Sequence, residues 1–411
     1  MKGKLYTTIK IDNVWGGHPV KFNIIKHNGV FYIAYYNHER NMVIASYTEK
    51  TKKLRKTILS ETLGWDSHNG VNIGIDRDGY IHLSGNMHKN RLIYFRGLKP
   101  YDISFFDRIS KMTGNNENSC TYPIFFNNLD DKLFFRYRNG KSGKGDLFIN
   151  TYNENKQEWL PVTNQSLFDG ENERNAYPCD FVLGPDNYFH VCWVWRNNPN
   201  CETNHALEYA KTENFIDWLD VNGNKLPIPF KIFGGDLIDP IKINGGLLNG
   251  STKIGFDKQN KAIISYHKFD SDGNTQIYNA RTQNNKWEIY QTSKWDYRWG
   301  FTGGGTIKLE IEVFPVEIYN DRLIQRFKHK KYGEGTWKLN ETNLQIQATS
   351  ITSKEFGIVE KDRIKHIIPN DINSKYYIFW ETFSANRDQR REDFPIDHGK
   401  SVLNLSIQKI R

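Results

Sequence analysis

The sequence predicts an all-β fold, a seven-bladed β-propeller built from four-stranded antiparallel blades. Aromatic residues make up 14% of the chain, with 22 Tyr, 25 Phe and 11 Trp, and such residues favour strands. Long stretches with helix-period apolar spacing are absent. A polar turn followed by an apolar, strand-like segment recurs seven times, at a period of about 50 residues that is typical of propeller blades.

Each repeat joins a polar turn to a short apolar segment, and most continue into two further strand-like segments. The turn positions 28, 78, 131, 186, 259, 321 and 374 lie 50, 53, 55, 73, 62 and 53 residues apart. The repeats are His27–Ile33, Arg77–Leu83, Leu129–Phe135, Pro185–Val191, Lys258–Ile264, Tyr319–Gln325 and Asn373–Phe379.

The N-terminal segment Leu5–Lys10 is expected to complete the last blade and close the ring. Residues 1–411 would then form a single propeller domain. The alternative fold is a β-sandwich followed by a second domain.

The formal net charge of +9 favours an anionic partner such as an acidic polysaccharide. The basic residues are scattered and form no nucleic-acid motif, so nucleic acid is not expected. No apolar run reaches the ~18 residues of a membrane span. The first residues, Met1–Lys4, are not followed by an apolar signal region. Four cysteines are too few for a disulfide scaffold of this length.

Two histidines flank one of the repeats. His68 lies in Trp65–Asn69, and His88 ends the strand-like run Tyr80–His88. In the predicted propeller, His68 precedes an inner strand and His88 ends it, so both approach the same end of the ring. Two imidazoles that face a common cleft can hold and move a proton near neutral pH, which indicates an enzyme.

The next repeat supplies a phenol and a guanidinium in matching positions. Tyr122 precedes Pro123 in a loop, and Arg138 stands at a strand end before a glycine-rich turn. This set suits β-elimination from a uronic acid: Arg138 pairs with the carboxylate, a base removes the C5 proton, and an acid protonates the departing O4. Glycoside hydrolysis usually needs two carboxylates, and no convincing pair accompanies these motifs.

These motifs together resemble those of the BNR-type seven-bladed propeller polysaccharide lyases, and among them the ulvan lyases, which cleave beside a uronate linked to sulfated rhamnose. The resemblance runs from about residue 64 to about residue 281. The segments that carry it are Trp65–His68, Asn86–His88, Thr121–Pro123, Phe135–Arg138, Ser142–Asp146, Trp195–Arg196, Thr203–His205 and Glu208–Ala210.

The resemblance implies an active site of His68, His88, Tyr122 and Arg138. Arg138 would neutralise the carboxylate, while Tyr122 and one histidine would share the base and acid roles without a catalytic metal. Relatives on the same fold include a rhamnose–glucuronate lyase and an α-L-rhamnosidase. A rhamnosidase and a non-catalytic glycan-binding propeller therefore remain alternatives.

Further residues are predicted to contact the substrate. Tyr177, which precedes Pro178, repeats the Tyr-Pro pattern, Arg196 can meet a substrate anion, and Asn69 follows His68. The resemblance also implies a secreted or periplasmic enzyme, although no signal peptide is found. We expect a monomer that binds an anionic polysaccharide and does not insert into a membrane.

The last prediction is a structural metal site. His190 and Cys192 point to one face of a strand, and a following loop can bring back Cys201 and His205. Four such ligands suit a closed tetrahedral zinc site, and a structural calcium ion is a further possibility. The alternative is that the cysteines are small buried apolar groups and His205 faces the substrate.

Overall fold

The computed structural model describes residues 6–351, 363–369, 373–391 and 399–408. Within these ranges the chain forms thirty-two β-strands and one short 3-10 helix, Cys201–Thr203. The strands pair into seven antiparallel sheets, as the seven repeats predict. No helix in the described part of the chain has the length and apolar character to cross a membrane.

The first three sheets follow one another along the chain, with one exchange of a strand. The first sheet contains β2 (Asn23–His27), β3 (Val30–Tyr36), β4 (Asn41–Thr48) and β5 (Leu54–Thr62). The second contains β6 (Val71–Ile75), β7 (Ile81–Gly85), β9 (Tyr94–Gly97) and β10 (Phe106–Ile109). The third contains β8 (His88–Asn90), β11 (Cys120–Asn127), β12 (Leu133–Lys141), β13 (Lys144–Asn153) and β14 (Glu158–Pro161).

The fourth sheet is the largest and the next two are regular. The fourth contains β15 (Asn175–Pro178), β16 (Val182–Leu183), β17 (Phe189–Arg196), β18 (Asn204–Thr212), β19 (Trp218–Leu219), β20 (Lys225–Leu226) and β21 (Asp236–Asp239). The fifth contains β22 (Lys253–Phe256), β23 (Ala262–Phe269), β24 (Thr275–Gln283) and β25 (Lys286–Gln291). The sixth contains β26 (Ile311–Tyr319), β27 (Arg322–His329), β28 (Gly333–Leu339) and β29 (Ile346–Ile351).

The seventh sheet joins the two ends of the chain. It contains β30 (Arg363–Ile368), β31 (Tyr376–Phe383), β32 (Lys400–Gln408) and β1 (Tyr6–Trp15). Strand β1 pairs with β32 from Tyr6 opposite Gln408 to Trp15 opposite Lys400. The prediction that the N-terminal strand completes the last sheet is confirmed, although Leu5 lies outside the described residues.

The recurring turn-and-strand pattern marks the second strand of each hairpin, not the first strand of each sheet. The turns connect hairpin partners, as at Asn28 and Gly29 between β2 and β3, where both residues have positive φ. Tight hairpin turns require this backbone conformation, which explains the Asn, Asp and Gly at these positions. The predicted assignment of inner strands is therefore shifted by one strand.

The chain divides into two compact units. The first comprises residues 1–140, 148–162 and 356–411, and the second comprises 141–147 and 163–355. Each has an aromatic-rich core: in the first, Phe22 stacks on Trp380 with ring centroids 4.4 Å apart, and in the second, Phe327 stacks on Trp337 at 4.3 Å. The single domain over 1–411 stays a prediction.

A matched pair of substitutions in β32 tests the importance of the seventh sheet. Leu405 is fully buried and lies opposite Ile9 and Ile378, whereas Val402 on the same strand is 39% exposed. Leu405→Ala is expected to lower the free energy of unfolding by about 2–5 kcal/mol because it leaves a cavity. Val402→Ala is expected to change it by about 0.5 kcal/mol or less. Chemical denaturation checks both, and equal losses would contradict the assigned packing.

Candidate active site

One carboxylate holds two imidazoles in the first unit. Asp66 lies in the loop between β5 and β6, where its Oδ1 accepts hydrogen bonds from the backbone N of His68 at 2.9 Å and from the Nδ1 of His68 at 2.6 Å. Its Oδ2 accepts a hydrogen bond from the Nδ1 of His88. The two imidazole rings stack with centroids 4.0 Å apart and planes 23° from parallel.

His88 reaches this position from the third sheet and not, as predicted, from the strand of the second repeat. Strand β7 ends at Gly85, and Asn86 takes a left-handed conformation with φ 57°. The side-chain amide of Asn86 donates to Glu61 Oε1 at 2.6 Å and to the carbonyl of Thr62 at 2.9 Å. These bonds fix the reversal, so His88 begins β8, which pairs with β11.

The third sheet places three polar side chains in one row across its strands. His88 on β8 lies opposite Thr121 on β11, and Thr121 lies opposite Arg138 on β12. Residues directly opposite one another on adjacent strands share a face of the sheet. The Arg138 guanidinium donates to Thr121 Oγ1 at 3.3 Å, and the side chain of Arg138 is only 3% exposed.

Tyr122 stands out of this row because β11 is irregular at this point. The strand register shifts between Thr121 and Ile124, and Tyr122 has a φ of 58°. Such a bulge re-aims a side chain, and a non-glycine residue in this conformation is strained. The Tyr122 ring lies 5.6 Å from the His68 ring, measured between centroids, and the Arg138 guanidinium carbon lies 5.0 Å from the Tyr122 centroid.

The four side chains predicted to form the active site are therefore neighbours. Each side chain contacts the next in a chain that runs from His88 through His68 and Tyr122 to Arg138. All four belong to the first unit.

A second carboxylate approaches from the loop after β31. Asp388 Oδ1 accepts a hydrogen bond from the backbone N of Ser67 at 3.1 Å, and its Oδ2 lies 3.6 Å from His68 Nδ1. Neither Asp66 nor Asp388 was singled out from the sequence. The Asp-x-His spacing of Asp66 and His68 was an available signal, but Asp388 lies 321 residues from Ser67 and had none.

The charges of the site follow from these contacts. Burial acts to raise the pKa of Asp66, but the hydrogen bonds from His68 and His88 outweigh it and hold that pKa far below its usual range. Burial lowers the pKa of His88 below 6.5, and the positive charges of His68 and Arg138 act in the same direction, against the hydrogen bond to Asp66. At neutral pH, Asp66 is therefore ionised and His88 is neutral.

The carboxylate also sets the tautomer of both rings. An ionised carboxylate only accepts hydrogen bonds, so each Nδ1 that contacts Asp66 carries a proton. In a neutral imidazole the lone pair is then on Nε2. The Nε2 of neutral His88 therefore carries the lone pair that can accept a proton.

The three predicted substrate contacts are largely buried. Asn69 is 8% exposed, and its carbonyl accepts the hydroxyl of Tyr36 at 2.7 Å. In the second unit, the hydroxyl of Tyr177 shares a 2.7 Å hydrogen bond with Ser142 Oγ. The guanidinium of Arg196 donates to the carbonyls of Asn198 and Pro199 and to Asn249 Oδ1, the first and last at 3.1 and 3.2 Å. Arg196 thus stabilises the loop that follows β17.

The structure does not bring together the four residues predicted as zinc ligands. The two ring nitrogens of His190 contact the hydroxyl of Tyr209 at 2.5 Å and Asp186 Oδ1 at 2.8 Å, and Cys192 Sγ lies 3.5 Å from Cys179 Sγ. His190 lies opposite Lys211 of β18, and His205 lies six residues before Lys211 on that strand. Six residues of a strand span about 20 Å, so His205 is far from His190.

The remaining members of that set have other surroundings. His205 Nε2 shares a 2.8 Å hydrogen bond with Asn197 Oδ1, and Cys201 is buried in the 3-10 helix. The predicted set of four zinc ligands is therefore wrong. His190 and Cys192 do share strand β17, but the register between β17 and β18 places His205 far from both.

Comparisons with known proteins agree with the predicted fold. The solved polysaccharide lyase Uly1 superposes with a TM-score of 0.71 at 12% identity, covering 99% of this chain and 100% of that one. An ulvan lyase of family PL25, solved with -[GlcA(1-4)Rha3S]- bound, gives a TM-score of 0.66 at 14% identity, covering 94% and 98%. At these identities the likeness shows the fold, and it confirms the predicted seven-bladed β-propeller.

The sequence itself matches one family. No curated protein matches the chain by sequence. The profile described as "BNR repeat-containing family member" matches residues 30–295, which is more than half of the chain. The matched range includes the Asp66 loop, Tyr122 and Arg138. The chain belongs to the BNR repeat-containing family.

Proposed function

We propose that this protein is a polysaccharide lyase that cleaves a uronate-containing anionic polysaccharide by β-elimination. The observation that carries the proposal is the continuous contact of the Asp66-bound imidazole pair, Tyr122 and Arg138. The ulvan lyase with the same fold was solved with a glucuronate–sulfated rhamnose repeat. A rhamnose–uronate linkage of the ulvan type is therefore the proposed substrate, and the net charge of +9 suits its anionic character.

Arg138 makes the C5 proton of the uronate acidic enough to be removed. A guanidinium can pair with both oxygens of the substrate carboxylate. Negative charge develops on that carboxylate as the C5–H bond breaks, and a positioned cation stabilises it. The Tyr122 ring packs against this guanidinium and places the proposed acid beside the group that binds the carboxylate. Electrostatic attraction in such a dry site is stronger than at an exposed arginine.

The imidazole pair supplies the base. The two stacked rings share one carboxylate and repel each other if both are protonated. His88, whose pKa is lowered, stays neutral and presents the lone pair of Nε2. That nitrogen takes the C5 proton, the electrons of the C5–H bond form the C4=C5 double bond, and the C4–O4 bond breaks.

Tyr122 supplies the acid. Its phenolic O–H can donate a proton to the departing O4. The imidazolium of His88 then releases its extra proton to solvent, and the phenolate of Tyr122, whose ring contacts His68 and not His88, takes one up from solvent. The cycle consumes no water and ends with both groups in their starting protonation states.

The carboxylates of the site do not favour glycoside hydrolysis. A hydrolase of the usual kind needs one carboxylic acid with a raised pKa beside a second carboxylate. Asp66 has the opposite property: its pKa is lowered, and each of its oxygens accepts a hydrogen bond from an imidazole. Asp66 is therefore an anchor for the imidazoles and not an acid.

Incubation with a panel of uronate polysaccharides, including ulvan and a rhamnose–glucuronate glycan, tests the proposal. A lyase raises the ultraviolet absorbance of the unsaturated uronate as it cleaves. Release of free rhamnose without this absorbance would identify a rhamnosidase. Binding without any product would identify a glycan-binding propeller, and either result would overturn the proposed elimination.

Asp66→Asn is expected to lower kcat by up to about 10⁴-fold, because an amide in place of the carboxylate can hold a catalytic imidazole in the wrong tautomer. The hydrogen bond that His88 Nδ1 donates to Asp66 favours protonated His88, so removal of the carboxylate lowers the pKa of His88 further. The acid limb of the kcat/KM profile is therefore expected to move to lower pH. Asp388→Asn, which changes a longer contact of 3.6 Å, serves as the matched variant with a smaller effect. An unchanged pH profile in Asp66→Asn would contradict the role of Asp66.

A further inference from the structure

Asp66, His68 and His88 have the composition and spacing of a metal site. Each offers one ligand atom, and the three atoms lie within 4.8 Å of one another. Among the residues that the structure describes, they are the one such group of three or more His, Cys, Asp or Glu side chains. Two imidazoles and one carboxylate suit zinc and the neighbouring divalent transition metals, and suit calcium or magnesium less well.

We propose that Asp66, His68 and His88 bind a divalent ion of the zinc class, and that this ion and the proposed elimination exclude each other. The second half of the proposal rests on the proposed function, whereas the binding itself does not.

The three side chains are already held close together around the carboxylate of Asp66. The backbone N of His68 and the Nδ1 of His68 both contact Asp66 Oδ1, and β8 fixes His88 through its pairing with β11. The side chains are 19%, 20% and 26% exposed for His68, His88 and Asp66. An ion can therefore enter from solvent and lose most of its water.

A further carboxylate, Asp388, lies in the loop after β31. Its Oδ2 is 3.6 Å from His68 Nδ1, but Asp388 is not among the three residues whose ligand atoms all lie within 4.8 Å of one another. An ion held by three protein ligands keeps a water molecule in the remaining position. The two imidazole planes, now 23° from parallel, must open for both Nδ1 lone pairs to reach one ion. Each ring must therefore turn about its side-chain torsions when an ion binds.

Metal binding removes the base from the active site. Both Nδ1 atoms donate protons to Asp66 in the metal-free arrangement, and an ion needs those positions as lone pairs. The protons of the neutral rings then lie on Nε2. An Nε2 that carries a proton cannot accept the C5 proton of the uronate. The three residues can therefore either present a proton-accepting imidazole or bind the ion, but they cannot do both at once.

Titration calorimetry with Zn²⁺ in a non-chelating buffer tests the binding. The wild-type chain is expected to bind one equivalent that His68→Gln and His88→Gln each lose, and that Asp66→Asn binds about tenfold more weakly or worse. His27→Gln, which changes a histidine of β2 that shares a hydrogen bond with Asn28, is the matched control and keeps that equivalent. Circular dichroism confirms that each variant is folded. Equal binding by wild type and all the site variants, or no binding by wild type, would overturn the site.

Two further measurements separate the site from the proposed function. The visible spectrum of Co²⁺ is expected to show a low-coordinate site in wild type and to lose that signal in His88→Gln. Zn²⁺ is expected to abolish elimination at the concentration at which it fills the calorimetric site, and a chelator is expected to restore it. Filling of the site with an unchanged rate would overturn the exclusion. If the metal-free protein shows no elimination, the proposed function fails, and calorimetry and the Co²⁺ spectrum alone decide the metal site.

Discussion

Arg138→Lys is expected to lower the kcat of elimination by about 10²–10³-fold, the usual effect of removing one positioned group that stabilises developing negative charge. Lysine keeps the positive charge but cannot pair with both carboxylate oxygens as a planar guanidinium does. Its ammonium can still reach toward Thr121 Oγ1, the present partner of Arg138. The loss is therefore expected in the chemical step and not in folding.

Arg91→Lys is the matched control for this substitution. Arg91 is exposed, and its Nε contacts Asn118 Oδ1 at 3.4 Å. We expect its elimination rate to be unchanged. Measurement of kcat and KM on the best substrate of the panel, with circular dichroism as a check on folding, distinguishes the two arginines. Full activity in Arg138→Lys would show that the guanidinium does not bind the carboxylate.

His88→Gln is expected to lower kcat/KM by about 10²–10⁴-fold, the range for loss of a general base. Glutamine can still contact Asp66 through its amide, but it has no lone-pair nitrogen to accept a proton. His38→Gln, a change at a half-buried histidine 3.9 Å from Glu39 Oε1, is expected to leave the rate unchanged.

The pH dependence identifies the protonation state of His88. A base acts only when neutral, and burial holds the pKa of His88 below 6.5. Wild-type kcat/KM is therefore expected to stay high as the pH falls to 6.5 and to decline only at lower pH. The residual activity of His88→Gln is expected to lack this acid limb. An acid limb centred above pH 6.5 in wild type would contradict the assignment of His88 as the neutral base.

The repeats in the sequence predicted the number and kind of sheets because a turn followed by an apolar segment is a local signal. They did not identify which strand each segment forms, because a turn that opens a sheet and a turn inside a hairpin have the same composition. His88 shows the consequence. It was assigned to the end of β7, but Asn86 reverses the chain and delivers His88 to the next sheet.

Long-range contacts limited the prediction of the site itself. His68, His88, Tyr122 and Arg138 were found through their motifs, whereas Asp388 reaches the site only because the loop after β31 folds back to Ser67. The zinc prediction failed for a related reason. The prediction that His190 and Cys192 share one face of β17 follows from the alternation of side chains along a strand. The register between β17 and β18 separates His190 from His205, and no local pattern in the sequence encodes that register.

The mass of the products tests the proposed elimination most directly. Elimination breaks the C4–O4 bond without adding water, so the masses of the two fragments from one cleavage sum to the mass of the parent chain. Hydrolysis adds one water, and the fragments then sum to the parent mass plus water. Mass spectrometry of a digest of a defined rhamnose–uronate oligosaccharide is expected to show one fragment with an unsaturated uronate end and no added water. Fragments that carry the mass of an added water would contradict the proposed function.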